Sequence, residues 1–289
     1  MKAGSGSWDR EFYKTGYEGF ERLENFPSAR ELEAYRELLL RKSRLQVEFL
    51  MRHLGPRPLR GIEFGAGNGR LLVALALQEM LEEGLGLEVS TSRVAFARRW
   101  AEDLHLVQVQ PVVADVLQFT DYPAQHFDLA VCITGAFNYF RPIDETAPLV
   151  VLRKMHAALR PGGHMLLELY ALPQHRAQML ALNDGRLRLW HPLPAEDRFA
   201  YYLDDFEYWA GQRILRHEKI FIGRDGTIDA GRVEVLAYYT GPELIDGLLV
   251  PSGFGNVRMF GDFQDSHYCE GESSTCVVLA DRGADPNEG

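Results

Sequence analysis

The sequence predicts an α/β fold: a doubly wound, seven-stranded, mostly parallel sheet with an N-terminal helical lid and an antiparallel β insertion after strand five. Three observations predict it. From residue 55 to residue 170, short apolar runs alternate with helical stretches, the pattern of parallel βαβ units with right-handed crossovers. The first run ends in GIEFGAGNGRL, Gly61 to Leu71, where a buried strand meets a glycine turn and a helix start. After Tyr170 the alternation gives way to β-rich runs with hairpin chemistry.

Taken in order, residues 1–54 form the lid. The aromatic residues Trp8, Phe12, Tyr13, Tyr17 and Phe20 lie on one face of an irregular helical segment, and Ser28-Ala-Arg-Glu31 is a capping box. The helix it starts runs to Leu54, where Gly55-Pro56 stops it. The core spans 55–170: a first strand ending at Phe64, a helix over 69–83, a strand over 86–90, a helix from Ser92 to Leu104, and strands over Val107–Val113 and Phe127–Ile133. A helix across 144–159 then stops at Arg160-Pro161-Gly162-Gly163 before the fifth strand, His164–Tyr170. The insertion, 171–240, holds β-rich runs at 199–209, 213–222 and 232–239, the last two joined by the turn Gly223-Arg-Asp-Gly-Thr227. Residues 241–281 complete the sheet with a helix from Thr240-Gly-Pro-Glu and two more strands, and 282–289 form a polar tail.

Composition narrows the function classes. Hydrophobic residues at 46% and charged residues at 25% describe an ordinary soluble globular chain of 289 residues, long enough to bury a large core. A net charge of -10 disfavours a polyanionic partner, so no nucleic acid is expected. Cys132, Cys269 and Cys276 show no paired spacing and fit a reducing cytoplasm. The N-terminus lacks an apolar signal core and no run is long enough to span a bilayer, so neither export nor a membrane is expected. No His and carboxylate cluster has metal-ligand spacing, and no metal is expected.

The glycine turn carries the chemistry. Gly65, Gly67 and Gly69 at alternate positions let a ligand approach the backbone, and the following helix offers unpaired N–H groups. A dinucleotide fingerprint needs its third glycine where Arg70 stands, so an NAD site fits poorly. Glu63, two residues before the first glycine, suits a ligand with an ammonium group. Here the chain resembles the class I S-adenosylmethionine-dependent methyltransferases, whose first motif is an acid followed by GxGxG, on a Rossmann-like fold. The pattern is closest to the small-molecule, natural-product type.

That resemblance implies a cofactor, S-adenosyl-L-methionine, and a set of contacts. The loop of Glu63, Gly65, Ala66, Gly67 and Gly69 passes under its methionine and ribose parts; Glu88, with Val89, accepts the ribose hydroxyls; Asp115 and Val116 take the adenine edge; Ile133 and Thr134 face the methionine portion. The chain lacks the Asn/Asp-Pro-Pro-aromatic motif of nucleic-acid aminomethyltransferases and has Ile133-Thr-Gly-Ala-Phe137 instead. Glu168 on the fifth strand is the candidate general base with Tyr170 beside it, since burial raises a carboxyl pKa toward neutrality; the alternative is a structural carboxylate hydrogen-bonded to the N-terminal segment. The acceptor side is expected to use Tyr13, Tyr17, Phe137, Tyr139, His175, Tyr201 and Trp209. The reading is a cytoplasmic monomer or homodimer methylating N, O or C of a small molecule. A macromolecular (RNA or protein) methyltransferase and a noncatalytic cofactor-binding module are the alternatives.

Overall fold

A computed structural model describes residues 21–193 and 199–283. Tyr13, Tyr17, the rest of the N-terminal aromatic segment and the end of the tail lie outside the described residues. Helix α1 (Ala29–Leu54) begins where Ser28 Oγ accepts the Glu31 N–H at 3.3 Å, and it ends at Gly55 with φ +84°. Strand β1 (Leu59–Phe64) then leads into the glycine turn and helix α2 (Arg70–Leu77).

Helix α2 is shorter than the sequence suggests. Glu79 adopts φ +56°, and Met80 N–H reaches back to Leu75 O at 2.9 Å, a helix-ending turn normally built on glycine. With no glycine to mark the stop, Gln78 and Glu79 read as helix. Strand β2 (Leu81–Glu88) consequently starts early and pairs in parallel with β1 along its length. Helix α3 (Thr91–Asp103), strands β3 (Val109–Val113) and β4 (Phe127–Cys132), and helix α4 (Ala147–Ala158) follow. Strand β5 (Leu159–Tyr170) takes in the Arg160–Gly163 turn as a register shift against β4, where Phe127 faces Leu159 but Leu129 faces His164.

The insertion holds one more helix and one more strand than expected. Helix α5 (Gln174–Leu182) precedes a four-stranded antiparallel sheet of β6 (Arg186–Pro192), β7 (Phe199–Trp209), β8 (Ile214–Gly223) and β9 (Ile228–Ala237), in that order. A helical run from Gly241 to Ser252, opened by the Thr240–Glu243 capping box, leads to β10 (Phe254–Phe260) and β11 (Thr275–Arg282).

The main sheet has the order β10-β11-β5-β4-β1-β2-β3, with β11 antiparallel to both neighbours. Two apolar layers flank it. One packs Phe49 and Leu50 of α1, Leu71–Ala76 of α2 and Phe96 and Trp100 of α3; the other packs Val151, Leu152 and Met155 of α4 with Leu244 and Leu249. The chain runs one way from β1 to β3 and the other way to β4 and β5, so the crevice beyond the carboxyl ends of β1 and β4 is where a ligand belongs.

Candidate active site

At that crevice the glycine turn is forced into left-handed backbone, with φ of +79°, +56° and +73° at Gly65, Gly67 and Gly69. Gly65 and Ala66 both donate to Leu87 O at 2.9 Å, which ties the turn to the end of β2. Glu88, almost fully buried, then takes the Gly67 N–H on Oε2 at 2.8 Å and the Ser90 N–H on Oε1 at 2.9 Å. The carboxylate is therefore fixed by backbone, and each oxygen retains acceptor capacity.

Glu63 sits at the end of β1 with 2% of its surface exposed, and its Oε2 has no hydrogen-bond partner among the described residues. Burial pushes its carboxyl up to about 8; the cations of Arg70 and Arg93 pull against that and the charge of Glu88 adds to it. A buried, unpartnered carboxyl is costly unless something else completes it.

A cavity of about 230 Å³ opens here. Of the expected cofactor residues, Glu63, Gly65, Ala66, Gly67, Glu88, Val89, Val116, Ile133 and Thr134 line it, and so do Tyr139 and Tyr170. Gly69 and Asp115 are not on the wall. Gly69 is the N-cap of α2, where a Cβ would stand 3.0 Å from that of Ala97; Asp115 Oδ1 accepts Leu117 N–H at 3.0 Å and shapes the turn between Ala114 and Val116. Lys154 Nζ braces the same turn through Val116 O, Leu117 O and Phe119 O at 3.0, 2.9 and 2.8 Å.

Several wall residues escaped the sequence reading. Arg93 donates to Glu21 at 2.9 Å, and Asn68 to the same carboxylate at 2.5 Å. Arg70 donates to Ser43 Oγ (2.8 Å) and Gln46 Oε1 (2.7 Å) of α1 and to Thr134 Oγ1 (2.9 Å). An arginine opening an otherwise apolar helix, at the position that argued against a dinucleotide, was the available signal.

Glu168 stands apart from the other expected site residues. It is not on the cavity wall: Oε2 accepts the Thr134 N–H at 2.8 Å and Gln46 Nε2 at 3.2 Å. Burial raises its carboxyl above the usual range, while the Thr134 N–H, Arg70 and Gln46 hold it down. Thr134 has φ +59°, a costly conformation for a β-branched residue. Glu168 and Arg70 together hold that strained residue in place.

The acceptor-side expectations also divide. Phe137 is fully buried in the core against Phe140 and Tyr239, not on the wall. His175 is exposed on α5, and neither Tyr201 nor Trp209 reaches the cavity. The reason is phase. On β7 the even-numbered residues Phe206 and Tyr208 pack with Leu180, Leu215, Leu236 and Tyr238 toward the core, whereas Tyr201 and Trp209 take the opposite face. Tyr139 packs on that same apolar cluster and so belongs both to it and to the cavity wall. Further along the inner face, Asp204 lies between His217 Nε2 (2.7 Å) and His191 Nε2 (3.0 Å).

Residues 62–163 match the family model of a methyltransferase domain. No curated protein matches the chain. Among solved structures it resembles the CcbJ methyltransferase from Streptomyces caelestis, at 19% identity and a TM-score of 0.67, over 84% of this chain and 90% of that one. It also resembles an S-adenosylmethionine-dependent methyltransferase from Clostridium acetobutylicum at 14% identity and TM-score 0.64, over 84% and 91% of the two chains. A third likeness is to CalS10, an amino pentose methyltransferase from Micromonospora echinaspora, at 18% identity and TM-score 0.57, over 86% and 95%. The match over 62–163 marks a methyltransferase domain, and the chain shares the fold of these methyltransferase structures, a seven-stranded sheet here joined by an antiparallel insertion.

Proposed function

We propose that the protein transfers a methyl group to the nitrogen of a small-molecule amine held between the cavity and the insertion sheet. One observation carries the nitrogen assignment. Among the described residues, the only carboxylates on the wall are Glu63 and Glu88, and no imidazole is there. Both acids are fitted to a cofactor: Glu63 to its ammonium group and Glu88 to its ribose hydroxyls, with Asp115 and Val116 near the adenine edge and Arg70 and Arg93 as wall cations. When bound, S-adenosylmethionine supplies a sulfonium-activated methyl group whose leaving group needs no proton. With no further carboxylate or imidazole on the wall among the described residues, the acceptor must be nucleophilic without first losing a proton, as a neutral amine is and a neutral hydroxyl is not.

This chain's residues then act mainly by alignment, a contribution of up to about 7–11 kcal/mol. Tyr170, 37% exposed, and Tyr139 form the wall toward the insertion. Glu168 contributes by holding Thr134. The insertion encloses the acceptor, and the shared position of Tyr139 supports that arrangement. CalS10, described as an amino pentose methyltransferase, is consistent with a small amine acceptor.

A metabolite extract split into small-molecule and macromolecular fractions, each given methyl-labelled cofactor, tests the proposal. Label is expected in low-mass amines, with equimolar S-adenosylhomocysteine. Label in RNA or protein would replace this reading with the macromolecular one, and cofactor binding without transfer to any fraction would indicate a binding module.

A further inference from the structure

The segment after β4 bears two sets of side chains. Ala136, Tyr139 and Phe140 line the cavity. Interleaved with them, Asn138 and Arg141 hold the base of the insertion. Asn138 is fully buried: its Oδ1 accepts the Tyr170 N–H at 2.9 Å, and its Nδ2 donates to Tyr170 O at 3.1 Å and to Ala237 O at 2.7 Å. One side chain thus joins the end of β5 to the end of β9. Arg141 Nη2 donates to Gln212 O at 3.1 Å and Tyr238 O at 2.7 Å, while Nη1 pairs with Glu243. Its guanidinium lies 4.5 Å from the Tyr239 ring centroid, and Glu243 also takes Arg213 Nη1 at 2.8 Å.

Resting on the reading that the insertion covers the acceptor, we propose that Asn138 and Arg141 are positioning residues coupling occupancy of the cofactor cavity to docking of the insertion sheet. A ligand against Ala136, Tyr139 and Phe140 restrains the same few residues whose neighbours grip β9 and the β7–β8 hairpin. Whatever the ligand contributes to ordering that segment is then shared by the sheet. Linkage makes the effect reciprocal: a docked sheet favours the filled cavity. A simple brace differs, because it holds the sheet equally with or without ligand.

Hydrogen exchange of the full chain, with and without saturating S-adenosylhomocysteine, separates the two. In the wild type the ligand should slow exchange in β7, β8 and β9 by at least about fivefold, the low end of ordinary coupling. Asn138→Asp keeps the acceptor oxygen and removes both donors; Arg141→Lys keeps the charge and removes the paired geometry. In each, the ligand-dependent slowing should be lost, and by the same reciprocity calorimetry should find ligand affinity weakened by about the factor of slowing that is lost. Arg188→Gln, which removes an exposed cross-strand pair with Asp205, should leave the slowing intact. A wild-type sheet indifferent to bound ligand, or slowing retained in both variants, overturns the coupling. Failure of the ligand to bind the wild type would overturn the cofactor site itself, and calorimetry alone reports that.

Discussion

The two halves of the crevice are built on opposite plans. At the ends of β1 and β2, acceptor capacity is left over: Glu63 Oε2 has no partner among the described residues, and the oxygens of Glu88 are each held by one backbone N–H. At the ends of β4 and β5, polar side chains are spent on one another and on the backbone: Glu168 on Thr134 and Gln46, Asn138 on Tyr170 and Ala237, Arg141 on Gln212 and Tyr238. A half that waits for a charged ligand presents its groups, whereas a half that must align an acceptor is held stiff. On the function proposed above, the first half is fitted to the cofactor and the second to this chain's own insertion.

The harshest way to break the first half is Gly67→Val. A branched side chain at φ +56° is strained, and its Cβ would stand 2.7 Å from the Arg93 guanidinium. S-adenosylhomocysteine binding should fall by more than about a hundredfold, with the fold retained by circular dichroism. Affinity equal to wild type would mean that the turn is not the ligand's cradle.

Glu88→Ala should weaken the same ligand by about tenfold to a hundredfold, as loss of charge-assisted hydrogen bonds implies. Asp115→Ala should cost less, because its carboxylate shapes the turn and is not on the wall. A reversed order in calorimetry would move the main polar anchor from the end of β2 to the end of β3.

This contrast also explains what the sequence could tell. Glu63, Gly65, Gly67 and Glu88 were legible as cavity wall because a close-approach turn and a strand-end acid demand particular residue types at fixed spacing. Asn138 and Arg141 were not, since each depends on a backbone carbonyl far along the chain, 99 and 97 residues away, and a carbonyl leaves no mark on composition. Phe137 looked like wall because it is aromatic and near the motif, yet the core took it. Strand β6 was readable in the alternation Arg186-Leu-Arg-Leu-Trp190 and went unread; the end of α2 was not, because Glu79 stands where a glycine usually does.

Glu63 gives a gentler test through pH. Its carboxyl is raised from the ordinary 4.5 to about 8 by burial. The unfolded chain ionises first, so the stability this group contributes is fully present below about 4.5 and is lost as pH rises through about 8. An ammonium beside it requires the ionised form, so ligand binding below pH 8 must expel a proton. Affinity for S-adenosylhomocysteine should rise between pH 6 and 8 by up to about tenfold per unit, with proton release visible as a buffer-dependent enthalpy. Glu63→Gln should bind more weakly and lose both dependences. A wild type with no pH dependence would place the ammonium elsewhere.

Smallest in its effect on the cofactor, and most informative for the second half, is Glu168→Gln. If the residue holds Thr134 and does not touch the acceptor, the amide keeps an oxygen for the Thr134 N–H, and Gln46 can turn its own amide to match. What is lost is the charge facing Arg70, a charge whose ionisation burial disfavours. Affinity for S-adenosylhomocysteine should therefore stay within about threefold of wild type. Transfer to the amine acceptor should fall by less than about tenfold, well short of the 10²–10⁴-fold that removal of a general base costs. The rate should still climb with pH as the amine loses its proton, with the same midpoint in both proteins. A hundredfold loss that also erased this dependence would restore Glu168 as the proton acceptor. Glu168→Ala, which removes the Thr134 contact altogether, should then be the worse variant only on the positioning account, because on the base account both substitutions remove the same proton acceptor and would fall together.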